Sequence, residues 1–553
     1  MRPRVLILGG AGVFGARLAE GLAASTDAQL IIAGRSFVRA EAVARTCRAE
    51  VAVLDRDSAT PEQIAALKPC VVVDAAGPYQ GADYRFAIAA LEAGAHYLDL
   101  ADARDFVAGF DALDDLAKRQ GKAAITGASS TPGLTHAALD ALCAGWRRVD
   151  AIRAGIAPGN RAPKGESLVR AILSRAGALT SVFEAGAWRK RPGWSHQRTI
   201  DIGGLGKRRF ALVETPDLDL IPRRFAPRDE AVFMAALELG VLHRGLEAIG
   251  ALRRWGVWRN PERAAGLFAR CAKLVEGFGC DRGAMIVEAL GRDAADKACV
   301  ARWTLFAEAG LGPYAPTLPA LAVVRRMLAG DVAPGARACA GFLTLDDIAA
   351  DCARIGLTTK LERRTLESPF ARALGDAFAA TPAPVVAAHA SGPVTRLNGA
   401  ARVAPAASPL GAIAGACVGF PRAAERAPVE VTMRLEPDGR ETWTRTIGGR
   451  RFKSVLSYAA PDIVRERFGP FSFDMAVAAD AEALSMQVTG WRFGPLALPR
   501  ALAPRSLARE TAGAGGLFRF DVPVALPWLG RLTHYQGELE IESHSRPAQE
   551  SAA

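Results

Sequence analysis

Over the first quarter of the chain, short apolar runs alternate with segments of helical spacing. The runs lie at 5–8, 29–33, 50–54, 71–74, 97–100 and 123–126. Between them, stretches such as 16–24 and 85–93 place alanine and leucine at helical intervals. Strand–helix alternation with nearly continuous apolar strands predicts a parallel sheet covered on both faces, over residues 1–145. From 146 to 370 the pattern predicts an α+β domain. It has a strand-like stretch at 186–224, with Trp188, Trp194, Phe210 and Leu212 among arginines. A helix is expected at 230–258, stopped by Asn260-Pro261, and another at about 262–278. Strands follow near 284–290 and 299–308, with a helix after Pro319.

Residues 371–384 belong to an Ala/Pro/Gly-rich run without charge between Asp376 and Arg396, and read as a linker or an extended entry strand. From 385 to 545 apolar and polar residues alternate, as in Val429-Glu430-Val431-Thr432-Met433-Arg434-Leu435, with a hairpin signal at Asp438-Gly439. This predicts a curved antiparallel sheet or barrel with one buried face, followed by a polar tail from Ser543. The fold class is α/β: a Rossmann-type parallel sheet, an α+β second domain and a β-rich C-terminal domain.

Composition narrows the picture modestly. The chain has 553 residues, 50% hydrophobic and 23% charged, with a net charge of +11. That excess is mild for the length and permits an acidic partner without requiring one. Nine scattered cysteines without a CxxC pair argue against a disulfide framework or a metal site, and for a reducing cytoplasm. No apolar run approaches the ~20 residues of a membrane helix, and the basic start at Met1-Arg2-Pro3-Arg4 leads into a glycine-broken stretch unlike a signal peptide; a soluble protein is expected.

The sharpest motif is Gly10-Ala11-Gly12-Val13-Phe14-Gly15, directly after the first strand and before the first helix. Gly10 permits the tight turn, Gly12 lets backbone approach a pyrophosphate, and Gly15 lets the helix pack closely, with its N-terminus toward the phosphates. The second strand ends in Arg35-Ser36, where an NAD site carries an acid for the ribose 2′-hydroxyl. Arg35 and Ser36 suit a 2′-phosphate instead, so NADP is favoured. After the third strand Asp55 is the better candidate acceptor for the adenine amino group, while Asp57 is as readily a solvated loop acid. Thr60-Pro61-Glu62-Gln63 reads as a capping box. In Val73-Asp74-Ala75-Ala76-Gly77-Pro78-Tyr79, Ala76 and Gly77 let backbone pass under ribose and nicotinamide; Tyr79 is either a pocket wall or packing.

Together with His96-Tyr97-Leu98-Asp99-Leu100-Ala101-Asp102, these pieces resemble the saccharopine dehydrogenase-like family. The resemblance covers about 1–370, including Gly165-Glu166-Ser167-Leu168 and Thr215-Pro216-Asp217-Leu218. It implies a Rossmann domain interrupted by an α+β domain that closes over the nicotinamide, and hydride transfer between NADP(H) and a substrate in the cleft. The loop Gly127-Ala128-Ser129-Ser130-Thr131-Pro132-Gly133-Leu134 departs from saccharopine reductases in lacking their acid. No arginine constellation for the two amino-acid ends of saccharopine is present. The C-terminal third resembles an uncharacterised bacterial domain fused to such oxidoreductases, through Glu466-Arg467-Phe468-Gly469-Pro470, Pro495-Leu496-Ala497-Leu498-Pro499-Arg500 and Tyr535-Gln536-Gly537.

Candidate catalytic groups are Tyr97, Ser129 and His136, the last being either an acid/base or a helix-start contact, with Asp99 read as a buried structural acceptor. The basic, aromatic stretch at 188–194 reads as a hairpin edge or an anchor for an acidic substrate, and no nucleic-acid motif accompanies it. The segment 230–258 has an apolar face that either packs, forms a homodimer contact or meets an anionic membrane. His389, His534 and His544 lack metal-ligand spacing, and no GxSxG, P-loop or HExxH occurs. The expected activity is NADP-dependent oxidoreduction of a hydrophobic or lipid-like small molecule. The alternative is an NADP-holding redox sensor or lipid-binding scaffold. The C-terminal domain is expected either to hold an acyl or isoprenoid-like ligand in an apolar groove or to serve only as packing.

Overall fold

The computed structural model describes residues 2–163, 166–390 and 392–542. Gly165 and the tail from Ser543 therefore lie outside the described residues. The chain divides into two compact units. One comprises Met1–Gly145, Ala151–Ala289 and Ala301–Glu362; the other comprises Trp146–Asp150, Leu290–Val300 and Arg363–Ala553.

The first unit opens with β1 (Arg4–Leu8), α1 (Val13–Ser25), β2 (Gln29–Gly34), α2 (Phe37–Cys47), β3 (Glu50–Val53), β4 (Val71–Asp74), β5 (His96–Asp99) and β6 (Ala123–Thr126). Val5, Leu6, Ile7, Ile31, Ile32, Val72 and Val73 are fully buried, as parallel strands sandwiched between helices must be. The sheet order is β6-β5-β4-β1-β2-β3, with a seventh strand, Gly335–Ala338, parallel to β6 at the far edge. Thr60 and Gln63 form the capping box expected from the sequence.

The second sheet is mixed. Glu230–Ala236 runs parallel to Arg148–Ala157 and antiparallel to Lys207–Leu212. Here the expected helix at 230–258 is corrected: its first seven residues are a strand buried along its whole length, and the helix spans Gly240–Arg254. An apolar run buried on both faces has no period to distinguish strand from helix. The helices expected near 262–278 and after Pro319 are present at Ala265–Leu274 and Leu318–Leu328.

In the second unit an eleven-stranded antiparallel sheet runs from Val394–Ala404 to Gly530–Ile541. It closes because Phe471–Ala479 pairs with Ile463–Phe468 on one side and Ala483–Phe493 on the other. The short strand Leu496–Ala497 hangs on Ala483–Phe493 outside the ring. Inward positions such as Leu397, Val429, Val431, Met433, Trp443, Leu456 and Phe518 form the core. The run read as a linker or entry strand is helical instead, at Pro369–Leu374, Gly375–Ala380 and Ala383–Ala390. Its Phe370, Phe378, Val385 and Ala388 complete the barrel core, which explains a segment so poor in charge.

Candidate dinucleotide site

The glycine turn sits where β1 passes into α1. Gly9 has φ +72°, and a Cβ there would lie 2.8 Å from the Ala75 carbonyl carbon. A Cβ on Gly10 would meet Ile32 and the Ile7 carbonyl at 2.9 Å; one on Gly12 would meet the Gly9 carbonyl at 3.0 Å. Gly15 is tighter still, facing the Gly9 carbonyl and, at 2.8 Å, Gly10 Cα. The turn thus brings three backbone segments, the end of β1, the start of α1 and the chain at Ala75, together at distances side chains would prevent. Gly12 N-caps α1 without a side-chain cap, Ala11 is half-buried, and Val13 and Phe14 are exposed beside it. The N-terminus of α1 therefore presents uncapped backbone N–H groups to an anion, and the residues fit a dinucleotide pyrophosphate.

Arg35 and Ser36 stand exposed at the end of β2. The Ser36 hydroxyl accepts from the Arg39 N–H at 3.5 Å and caps α2. Arg39, which the sequence reading did not single out, donates to the Ala11 carbonyl at 3.4 Å and so reaches the glycine turn. Its signal was helical spacing: it lies one turn into the helix that Ser36 caps. Asp55 accepts from the Asp57 N–H at 3.2 Å, folding its own loop. Ala76 donates its N–H to Asp74 at 2.9 Å, and Gly77 is exposed next to it.

Behind the site two carboxylates lie side by side, Asp74 opposite Asp99 in the β4–β5 register. Both are fully buried. Asp74 binds Arg56 Nε at 2.8 Å, and Arg56 lies over the Tyr79 ring at 4.7 Å. Burial nevertheless raises the Asp74 carboxyl to about 6. Asp99 accepts from Ala101 N, Gly127 N and Thr126 Oγ1 at 2.8–3.0 Å, while its other oxygen has no partner among the described residues. Burial, with a contribution from Asp74, raises it to about 7. Asp99 thus holds the loop after β6 by its backbone, the structural role expected of it.

An acid whose pKa is higher folded than unfolded binds its extra proton in the native state, so stability falls as pH rises through that interval. For Asp99 the interval runs from 3.8 to about 7. Thermal unfolding followed from pH 5 to pH 8 should show a falling melting temperature, and Asp99→Asn should remove roughly 2–3 kcal/mol of that pH-dependent loss. An unchanged slope in the variant would remove this account.

Tyr97 is buried, its ring stacked on Phe110 at 6.0 Å and its hydroxyl 3.5 Å from Asp74. Burial and the two carboxylates hold its phenol protonated. It is a core residue behind the site, which corrects its expected place at a reacting group. Tyr79 is packing: it is buried and donates to the Asp74 carbonyl at 2.6 Å. Ser129 is buried in the loop after β6, its N–H bonded to the Gly127 carbonyl at 2.8 Å.

His136 opens the helix Thr135–Cys143 and is wholly buried, beside Phe225 at 5.8 Å. Arg224, which can only donate, bonds its Nδ1 at 2.8 Å, so Nε2 carries the proton and faces Asp217 at 3.5 Å. His136 therefore ties two helices together, the helix-start contact that was the alternative to an acid/base role. Thr131 Oγ1, Thr215 Oγ1 and both Asp217 oxygens are likewise buried without a hydrogen-bond partner among the described residues. The Thr215-Pro216-Asp217 stretch was legible as a motif, but not that it joins the 129–136 segment. No cluster of potential metal ligands occurs among the described residues.

Residues 5–127 match the saccharopine dehydrogenase NADP binding domain, and residues 370–539 match a domain of unknown function, DUF4166. No curated protein matches the chain. Among solved structures, the saccharopine dehydrogenase (L-Glu forming) of Saccharomyces cerevisiae superposes with a TM-score of 0.51 at 12% identity, covering 66% of this chain and 100% of that one. The homospermidine synthase of Legionella pneumophila, in complex with NAD, gives 0.43 at 12% identity, covering 67% of this chain and 93% of that one. The chain thus carries a saccharopine dehydrogenase-type NADP binding domain on a dehydrogenase-like Rossmann fold, joined to a closed-barrel DUF4166 domain.

Proposed function

We propose that the chain is an NADP-dependent oxidoreductase acting on a hydrophobic, lipid-like small molecule. The observation that supports NADP is the end of β2, where Arg35, Ser36 and Arg39 occupy the place of the acid that an NAD site uses. The glycine turn and the α1 N-terminus hold the pyrophosphate. Arg35 and Ser36 take the 2′-phosphate, Asp55 presents its remaining carboxylate oxygen to the adenine edge, and Ala76 and Gly77 leave room for ribose. The bound nicotinamide supplies hydride transfer; the protein's part is alignment and exclusion of water, with Ser129 the polar side chain retained from the expected set. The nine cysteines are all free, which fits a reducing compartment such as the cytoplasm. No helix among the described residues is long and apolar enough to cross a membrane.

Titration with NADPH and NADH, followed by fluorescence, is expected to show NADPH bound at least ~10-fold more tightly, a difference of about 1.4 kcal/mol. Equal affinity or a preference for NADH overturns the assignment. A second reading, an NADP-holding redox sensor or scaffold, is favoured by the burial of Tyr97 and His136. Tight NADPH retention with no hydride transfer to aldehydes, imines or enoyl compounds selects it.

A further inference from the structure

The barrel of the second unit is closed at one end and open at the other. The closed end is filled by the helices Pro369–Leu374 and Ala383–Ala390, whose Phe370 and His389 pack on Trp443. His389 pairs with Glu510 at 2.7 Å and Trp443 Nε1 donates to Glu441 at 2.9 Å, so the polar groups at the bottom are engaged with one another. Above them lies a cavity of about 550 Å³, walled by Val431, Met433, Phe452, Met486, Phe520 and Tyr535 among others. Packed cores leave few voids larger than a water molecule, so a space of this size is a built feature with the volume of a ligand site. Of the cations that line it, Arg451 and Lys453 are exposed to solvent, and the half-buried Arg445 is already held by Ser454 at 2.8 Å and Glu466 at 3.2 Å. The interior therefore asks for an uncharged chain.

The strand pairings place the segments 404–424, 447–451, 467–471, 492–507 and 524–531 at the open end. The large apolar side chains exposed in this barrel are Leu410, Ile413, Val418, Phe471, Phe493, Leu496, Leu507 and Trp528, and all belong to those segments. The same segments hold eight arginines, among them Arg422, Arg451, Arg500 and Arg505, and no aspartate or glutamate. The turns at the closed end, 436–440, 461–462 and 480–482, hold five acids and one arginine. The outer wall is charged, as at Glu430 and Arg509, so apolar contact is made by the end and not the side. Arg492 faces Asp474 of the barrel wall at 3.8 Å; apolar side chains interleaved with arginines, in segments that carry no acid of their own, match the surface of an anionic bilayer.

We propose that the barrel is a lipid-binding module: its open end docks on an anionic membrane surface, and its cavity takes one acyl or isoprenoid chain. This assignment does not depend on hydride transfer by the first unit. The test uses the full-length chain. Vesicles of phosphatidylglycerol mixed with phosphatidylcholine should sediment the protein, vesicles of phosphatidylcholine alone should not, and Leu410→Glu with Trp528→Glu should abolish sedimentation. The fluorescent fatty acid cis-parinaric acid should be taken up stoichiometrically, and Ala508→Phe or, separately, Val431→Phe should weaken uptake at least ~10-fold with NADPH binding unchanged. Sedimentation indifferent to lipid charge, or no uptake of the probe, overturns the proposal. So does a solution dimer that the double rim variant splits without any vesicle binding, which would assign the face to a second copy.

Discussion

A Gly15→Ala variant is expected to bind NADPH ~10- to 100-fold more weakly while remaining folded. The added Cβ would meet the Gly9 carbonyl and lie 2.8 Å from Gly10 Cα. Both are backbone atoms of the tight turn, held in place by Gly9 N and Gly10 N bonding the Ala33 carbonyl at 2.9 and 3.2 Å. A flexible side chain could swing aside; this turn cannot, so α1 must lift from the sheet. Overpacking of this kind costs about 1–3 kcal/mol. The displacement falls on the N–H groups that receive the pyrophosphate, so binding suffers beyond stability. Gly245→Ala is the control: it lies in the helix Gly240–Arg254 with open space around its would-be Cβ, and alanine favours helix. NADPH titration alongside thermal melting separates the effects. Wild-type affinity in Gly15→Ala would mean that the dinucleotide does not sit on this turn.

What the sequence disclosed and what it withheld divide along a physical line. β1 to β6, the glycine turn and the capping box rest on local signals: apolar runs, glycine spacing and a Thr-Pro-Glu-Gln signature. The seventh strand of the same sheet, Gly335–Ala338, is only Gly-Ala-Arg-Ala and owes its state to pairing with β6, which no local window contains. The strand Glu230–Ala236 is likewise decided by the three strands it pairs with. The barrel's alternation was legible, yet its closure rests on the pairing of Phe471–Ala479 with Ala483–Phe493, and its plug on helices in an alanine-rich run of weak pattern. For the site, the residue types at the end of β2 could be read directly, because cofactor chemistry acts on exposed side chains close in sequence. The burial of Tyr97 and His136 could not, because burial is set by what folds over a residue: Phe110 for one, Arg224 and Phe225 for the other.

Arg35→Asp is expected to reverse the cofactor preference, lowering NADPH affinity by ~100-fold or more and leaving NADH equal or improved. Arg35 is exposed at the end of β2, so it reaches a 2′-phosphate without the cost of burying an ion. A charge-assisted bond of this type contributes about 1.5–3 kcal/mol, and the aspartate adds repulsion toward the same phosphate. With NADH the new acid accepts from the ribose 2′-hydroxyl, the arrangement of an NAD site. Arg39→Ala should cost less than Arg35→Ala, since Arg39 already bonds the Ala11 carbonyl at 3.4 Å and shares its charge with the turn. Because both arginines are exposed, the wild-type advantage of NADPH should shrink as salt is raised from 0.05 to 0.5 M (about 14 to 4 Å of screening length). The decisive comparison is Arg35→Ala with each cofactor in turn. If that variant weakens NADPH and NADH by the same factor, Arg35 stacks on the adenine that both share, and the preference for NADP has no basis at this position.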